Sequence, residues 1–298
     1  MLTLLAMPKP FHGHVGVIQC NAIRSWTKLV PRPEIFLFGE EEGTAQIAEE
    51  LRIGQLRDIQ RNEFGTPLLN DLLRRAKEVT STPLLGYINS DIILLQEFQE
   101  AVATIHTRMP RFLGVTHRWE IDLRSELDFE QQPRLVLSML PRGASGHHTA
   151  IDAFVFNRDM YNDVPPLVIG RAWFDQWLIK DARHRKIPVV DLTRVARAIH
   201  QQHEYGHISG GQKVAYGGEE AGRNLDIYGG VPHAFTLLDA THELLHNQTI
   251  RKLHFRRKKF KLREWLWRNF IQRTAGIRHR LGLRRSEKAK SNPTNSSP

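Results

Sequence analysis

Through the first 115 residues, short apolar runs of strand character alternate with stretches of helical spacing, and this alternation constrains the fold more than any other feature of the chain. It is the signature of a largely parallel sheet covered by helices. Residues 2–7 form the first expected strand, stopped by Pro8-Lys9-Pro10. Val15, Ile18, Ala22, Trp26 and Leu29 then fall at helical spacing until Pro31 and Pro33 close the helix. Residues 34–38 are the second strand, running into the acidic turn Gly39-Glu40-Glu41-Glu42-Gly43, after which Thr44 is expected to cap a helix over 45–51. Thr66, with Pro67 at the first helical position, predicts a capped helix over 67–79. Residues 83–88 and 112–116 continue the strand pattern.

Beyond this the rhythm loosens. Strands are expected over 151–156, 187–191 and 195–199, a helix over 174–184, and a functional loop rather than packed core over 200–230, which is rich in Gly, His and Tyr. No internal repeat of solenoid length is visible. With 298 residues, 41% hydrophobic and 25% charged, the chain can bury a large core, which excludes general disorder. A single cysteine, Cys20, leaves no disulfide framework and no thiolate cluster, and fits a reducing compartment. Neither a signal peptide nor a transmembrane helix is expected, since the apolar runs are far shorter than the roughly 18 residues needed to span a bilayer.

The net charge of +10 is unevenly spread. Residues 251–290 hold 16 Lys and Arg against Glu264 and Glu287, a net of +14, whereas residues 1–250 hold 26 basic and 30 acidic side chains, a net of −4. The mildly acidic body argues against a nucleic-acid groove, so a nucleic-acid-binding protein would have to work through the tail alone. Within the tail, Phe260, Leu262, Trp265, Leu266, Trp267, Phe270 and Ile271 alternate with basic residues, as in a helix that lies on an anionic membrane. Residues 286–298 are polar and expected to be disordered.

Four constellations could carry chemistry. Asn89-Ser90-Asp91 follows a buried strand, where open α/β sheets place ligands; Asp91 could hold a hard divalent cation or simply cap the next helix. His200, His203 and His207 could supply a metal ligand or a phosphate donor, or be surface histidines clustered by chance. In Arg171-Ala172-Trp173-Phe174-Asp175-Gln176-Trp177 the aromatic residues beside a carboxylate are materials for a sugar site, although Trp173 and Trp177 at i,i+4 also suit a helix packed on the core. Finally, His242-Glu243-Leu244-Leu245-His246 matches the H-E-x-x-H of zinc peptidases, against the alternative of an ordinary helix with Leu244 and Leu245 in the core.

Taken in order along residues 3–240, the words His14-Val15-Gly16-Val17-Ile18-Gln19-Cys20-Asn21-Ala22-Ile23-Arg24-Ser25-Trp26, Phe38-Gly39-Glu40-Glu41-Glu42-Gly43, Asn62-Glu63-Phe64-Gly65-Thr66-Pro67, Tyr87-Ile88-Asn89-Ser90-Asp91, Gly170-Arg171-Ala172-Trp173-Phe174-Asp175 and the histidines of 200–207 resemble a GT-A type glycosyltransferase of the nucleotide-diphospho-sugar transferase superfamily, close to family-2-like proteins. The resemblance implies a Rossmann-like, mostly parallel α/β sheet with helices on both faces over 1–240, followed by a basic amphipathic helical segment over 241–285. It also implies a nucleotide-sugar donor and an acceptor hydroxyl. Pro8, Phe11, Glu40, Asn89, Asp91 and Arg171 would stand on the donor side, and Asp91 with His200, followed by His203 and His207, on a divalent cation such as Mn²⁺ or Mg²⁺. Asp175 would be the catalytic base. Asn89 departs from the family's D-x-D pattern by one charge. With the basic tail, the expectation is a cytoplasmic enzyme held peripherally on the inner face of a membrane, beside a lipid-linked or membrane-bound acceptor.

Overall fold

The computed structural model describes residues 1–129, 138, 147–203, 211–230, 234–254, 258 and 262. His207 and, apart from Leu262, the expected tail helix over 260–271 lie outside the described residues, as does the polar stretch 286–298. The chain divides into two units, Met1–His254 and Phe255–Pro298. Among the described residues no helix is long and apolar enough to cross a membrane.

The first unit is an α/β sheet assembly. Its strands are β1 (Leu2–Ala6), β2 (Glu34–Phe38), β3 (Gly54–Leu56), β4 (Leu84–Ile88), β5 (Ile92–Leu94), β6 (Leu113–Ile121), β7 (Ile151–Asn157), β8 (Val189–Asp191), β9 (Ala198–Gln201), β10 (His242–Leu244) and β11 (Ile250–Lys252). The helices are α1 (Gly13–Thr27), α2 (Thr44–Leu51), α3 (Leu69–Val79), α4 (Gln96–Arg108), α5 (Phe174–His184), α6 (Gly211–Gly217) and α7 (Glu219–Tyr228). In space the main path runs β11-β10-β8-β6-β7-β4-β1-β2-β3. Strands β3, β2, β1 and β4 are mutually parallel, so their carboxyl ends open on one edge. Strand β7 lies antiparallel between β4 and β6, and β6 is parallel to β8.

Alternation along the strands explains why both faces are covered. In β1, Leu2, Leu4 and Ala6 pack under Ala22, Ile23 and Trp26 of α1 and Phe98 and Ile105 of α4. Leu5 belongs to the opposite face, with Leu69, Leu72 and Leu73 of α3 and Leu178 and Ile179 of α5. Each fully buried Leu or Ile contributes about 1.5–3 kcal/mol, and the fully buried strands carry this on two sides.

The sequence expectations need several local corrections. Helix α3 begins at Leu69, with Leu68 extended at its cap, because Pro67 and Leu68 are drawn into bridges with Arg61 and Val168; Thr66 therefore caps nothing. Thr44 is the first residue of α2, and Gly43 holds the cap at φ +87. The expected loop over 200–230 contains α6 and α7, with Tyr228 fully buried. His242 to Leu244 form a strand between β8 and β11, so the peptidase-like word is not on a helix. The strand pair β10–β11 extends the sheet of the first unit.

Candidate active site

The site grows from the carboxyl end of β4. After Ile88 the chain turns through Asn89-Ser90-Asp91 and enters β5, which pairs with β9 in a small sheet completed by the far half of β6. The registers decide which side chains meet. Ile92 faces His200 across β5–β9, which brings His200 beside Asp91. Glu120 faces His200 across β6–β9. Ile88 faces Ala153 across β4–β7, which brings Asp152 beside Asn89.

Three acids and two imidazoles thereby converge. Asp91 Oδ2 lies 3.0 Å from His203 Nε2 and 3.7 Å from His200 Nε2. His200 Nδ1 is 3.2 Å from Glu120 Oε2, and Arg118 Nε is 2.8 Å from Glu120 Oε1. The Asn89 amide donates to Asp152 Oδ1 at 2.7 Å, and Arg118 approaches the other Asp152 oxygen at 3.5 Å. Asn89, Asp91, Arg118, Asp152, His200 and His203 line a cavity of about 580 Å³ that also reaches Lys9, Arg171, Trp173 and Asp175, with Glu120 behind His200. A second cleft, of about 440 Å³ between Arg24, Lys28, Leu51 and Phe129, holds no histidine.

The electrostatics separate the acids into two kinds. Burial opposes the charge on Asp91, but His200, the His203 hydrogen bond and Lys9 outweigh it and hold the carboxyl well below the usual carboxylate range. Glu120, hydrogen-bonded by His200, is held at about 2. Burial also opposes a charged His200; Asp91 and Glu120 overcome it and raise its pKa. Asp152 and Asp175 go the other way. Burial raises both, and the carboxyl of Asp175 is pushed up to about 7.

Asp175 stands in the first turn of α5, accepting a hydrogen bond from the Gln176 amide at 2.9 Å. The residue that aims it is Trp173, which caps α5 in the left-handed region at φ +81. For a bulky side chain that conformation is strained, and such strain is characteristic of functional sites. Trp173 rests on Tyr228 at 5.3 Å and lines the cavity, while Trp177 packs against the core beside Tyr161. The pairing of both tryptophans in the core thus holds for Trp177 alone.

A metal centre fits this geometry. One ligand atom from each of Asp91, His200 and His203 can be chosen so that all lie within 4.8 Å of one another. Asp91 Oδ1 is buried without a hydrogen-bond partner, as expected of a ligand atom facing a cation. Glu120 behind His200 Nδ1 is the arrangement that fixes the tautomer of a ligating imidazole and presents Nε2 to the metal.

Of the residues expected from sequence, the cavity brings together Asn89, Asp91, Arg171, Asp175, His200 and His203. Arg171 is already ion-paired to Glu220 at 2.7 Å. Pro8, Phe11 and Glu40 do not line the cavity. Phe11 instead buttresses the acidic turn: its amide donates to the Glu42 carbonyl, and its ring fills the space a Cβ on Gly43 would need. Sequence reading missed Arg118, Glu120 and Asp152, and gave Lys9, inside the segment 8–11 expected along the nucleoside, no role of its own. Asp152 is an acid at the head of the apolar run Ala153–Phe156, a visible signal, whereas Glu120 stands among Thr116, His117 and Arg118; the partners that give both meaning come from strands far away in sequence.

Among the described residues the H-E-x-x-H word collects no metal ligands. Glu243, 6% exposed, is paired with Arg194 at 2.5 Å and with Arg251 on the neighbouring strand, and His242 bonds Thr241. Successive strand residues alternate between faces, so the helical face that would unite the two histidines does not exist here.

No protein-family model matches the chain, and no curated protein does. Among solved structures, the fold is similar to glucosyl-3-phosphoglycerate synthase from Mycobacterium tuberculosis in complex with Mn²⁺, uridine diphosphate and phosphoglyceric acid: 15% identity over 78% of this chain and 80% of that one, TM-score 0.46. It is similar to residues 1–349 of Staphylococcus aureus TarS, with 12% identity, 67% of this chain, 57% of that chain and a TM-score of 0.40. It is also similar to a protein described as a nucleotide-diphospho-sugar transferase from Desulfovibrio desulfuricans G20, with 9% identity, 76% and 96% coverage and a TM-score of 0.41. The chain thus spans little more than half of the TarS fragment.

Proposed function

We propose that this protein is a glycosyltransferase that moves a sugar from a nucleotide-diphosphate donor to an acceptor hydroxyl. One observation carries the reading: a single cavity holds both a cluster fit for a cation, Asp91 with His200 and His203, and a separate buried carboxyl, Asp175, pushed up to about 7. The first kind of group suits a diphosphate and the second a proton transfer near neutral pH. Bound there, a divalent cation such as Mn²⁺ or Mg²⁺ supplies Lewis-acid stabilisation of the charge that develops on a leaving diphosphate.

The chain's own residues do the rest. Glu120 orients His200, and Asn89 with Asp152 forms the floor beside the turn. Trp173 offers a ring face to sugar C–H groups. In a single displacement the acceptor hydroxyl gives its proton to Asp175, its oxygen bonds to the anomeric carbon, and the bond to the diphosphate oxygen breaks with its electron pair leaving on phosphate. The same reading sets the reaction beside an anionic membrane on the cytoplasmic side, on the charge of residues 251–290 alone.

The test is release of nucleoside diphosphate from a panel of nucleotide sugars, with Mn²⁺, with Mg²⁺ and with chelator. The reading expects cation-dependent release from at least one donor. No release and no cation-dependent binding across the panel would refute it.

A further inference from the structure

Lys9 lines the cavity wall, and the mechanism above gives it no part. Its side chain is half-buried and lines the cavity next to the Asn89-Ser90-Asp91 turn. Burial pulls its pKa below the ordinary lysine value, while Asp91 and Asp152 pull the other way without restoring it. Among the described residues its ammonium has no hydrogen bond and no ion pair. An ammonium taken partly out of water with no partner costs free energy that an anionic ligand can return.

The backbone at Lys9 is unusually well fixed. Pro8 and Pro10 flank it. The buried Gln19 of α1 clamps it from both sides, accepting from the Lys9 amide at 2.6 Å and donating to the Lys9 carbonyl at 2.8 Å. The same Gln19 oxygen accepts from Ser90 Oγ at 2.9 Å. One buried amide therefore ties the Lys9 backbone to the turn that carries Asp91, so the stem of the lysine starts from a fixed point beside the cation cluster.

We infer that Lys9 is the direct protein contact for a phosphate oxygen of the nucleoside diphosphate, standing beside the cation cluster and preorganised by Gln19. This rests on the donor reading above, and it adds a residue that binds the leaving group through the protein itself. The rival reading makes Lys9 only a counter-charge for Asp91 and Asp152. The two readings separate on phosphate, because loss of the ammonium favours Mn²⁺ under either. A counter-charge that is removed leaves the acids unbalanced and the fold weaker. A phosphate contact that is removed leaves Mn²⁺ binding equal or tighter, because a competing positive charge is gone, while phosphate binding falls.

The experiment is titration calorimetry of the full chain and its Lys9→Met and Lys9→Arg variants, with Mn²⁺ alone, with Mn²⁺ plus inorganic pyrophosphate, and with Mn²⁺ plus each nucleoside diphosphate and its parent nucleoside. Lys9→Met should weaken pyrophosphate and the tightest nucleoside diphosphate by about 10- to 100-fold, as expected for a lost charge-assisted hydrogen bond. Mn²⁺ alone should bind at least as tightly as in the parent, the nucleoside should be unaffected, and Lys9→Arg should recover part of the loss. A folded Lys9→Met protein that binds pyrophosphate and nucleoside diphosphate like the parent would overturn the inference, as would equal losses for Mn²⁺ alone and for the nucleoside. A parent that binds Mn²⁺ but neither pyrophosphate nor any nucleoside diphosphate would overturn the donor reading itself.

Discussion

At the scale of single residues the cavity is a set of acids sorted by their neighbours. Asp175 is buried, Asp152 adds to the effect of burial, and the carboxyl's pKa, pushed up to about 7, has two measurable consequences. Turnover should rise with pH through about 7 as the base ionises. The folded state binds its proton more tightly than the unfolded state does, so this group favours folding fully below the ordinary aspartate pKa, and that contribution is lost as pH rises through about 7. Asp175→Asn should therefore lower kcat by about 100- to 10,000-fold while leaving donor affinity near that of the parent. In thermal melts it should stabilise the protein at pH 8, by at most about 4 kcal/mol, and not at pH 4. Losses of equal size in donor affinity and rate would place Asp175 in the donor site instead. Asn89 offers the complementary test. Its amide donates to Asp152, so Asn89→Asp sets two carboxylates within hydrogen-bond distance and should cost about 1–3 kcal/mol at pH 8; adding Asp152→Asn to the same chain should recover most of it. A neutral single change in denaturant melts would show that the two side chains do not share a charge.

At the scale of elements, what was legible depended on whether the signal was local. The apolar run of β4 and the helix over Phe174–His184 are set by their own residues, and both stand where the pattern puts them. The start of α3 is not local: Pro67 and Leu68 are taken by partners at Arg61 and Val168, so a good capping word at Thr66 loses to tertiary pairing. The same competition decides His242-Glu243-Leu244-Leu245-His246. Periodicity allows a helix, but β8 on one side and β11 on the other offer ladder bonds, and Arg194 and Arg251 neutralise the buried Glu243. His242→Ala and His246→Ala should accordingly leave the proposed transferase activity within about 3-fold and zinc content unchanged, whereas Glu243→Ala should lower stability by about 1–2 kcal/mol, the exposed ends of both arginines limiting the effect. Metal analysis and urea melts of the three variants check this. The candidate cation cluster was half legible: Asp91 and His200 are visible as chemistry-bearing residues, but only the β5–β9 and β6–β9 registers reveal that Glu120 stands behind His200.

At the scale of the whole molecule, Met1–His254 hold 28 basic and 30 acidic side chains, a net of −2, and residues 255–290 hold 14 basic and 2 acidic, a net of +12. Because β11 ends at Lys252 and completes the sheet, a truncation that tests the segment should stop after His254 rather than before Ile250. The full chain should float with anionic liposomes at low salt and be released by high salt, and the truncated chain should not float; steep salt-dependent binding of nucleic acid without flotation would contradict the membrane assignment. The central claim is that Asp91 organises a cation and a nucleoside diphosphate in one cavity. It is tested most directly by measuring the thermal shift produced by nucleoside diphosphates with and without Mn²⁺ in the parent and in Asp91→Ala. The account predicts a shift in the parent that needs both Mn²⁺ and the nucleotide, and its absence in an Asp91→Ala protein that still melts cooperatively. An undiminished Mn²⁺-dependent shift in folded Asp91→Ala would contradict it.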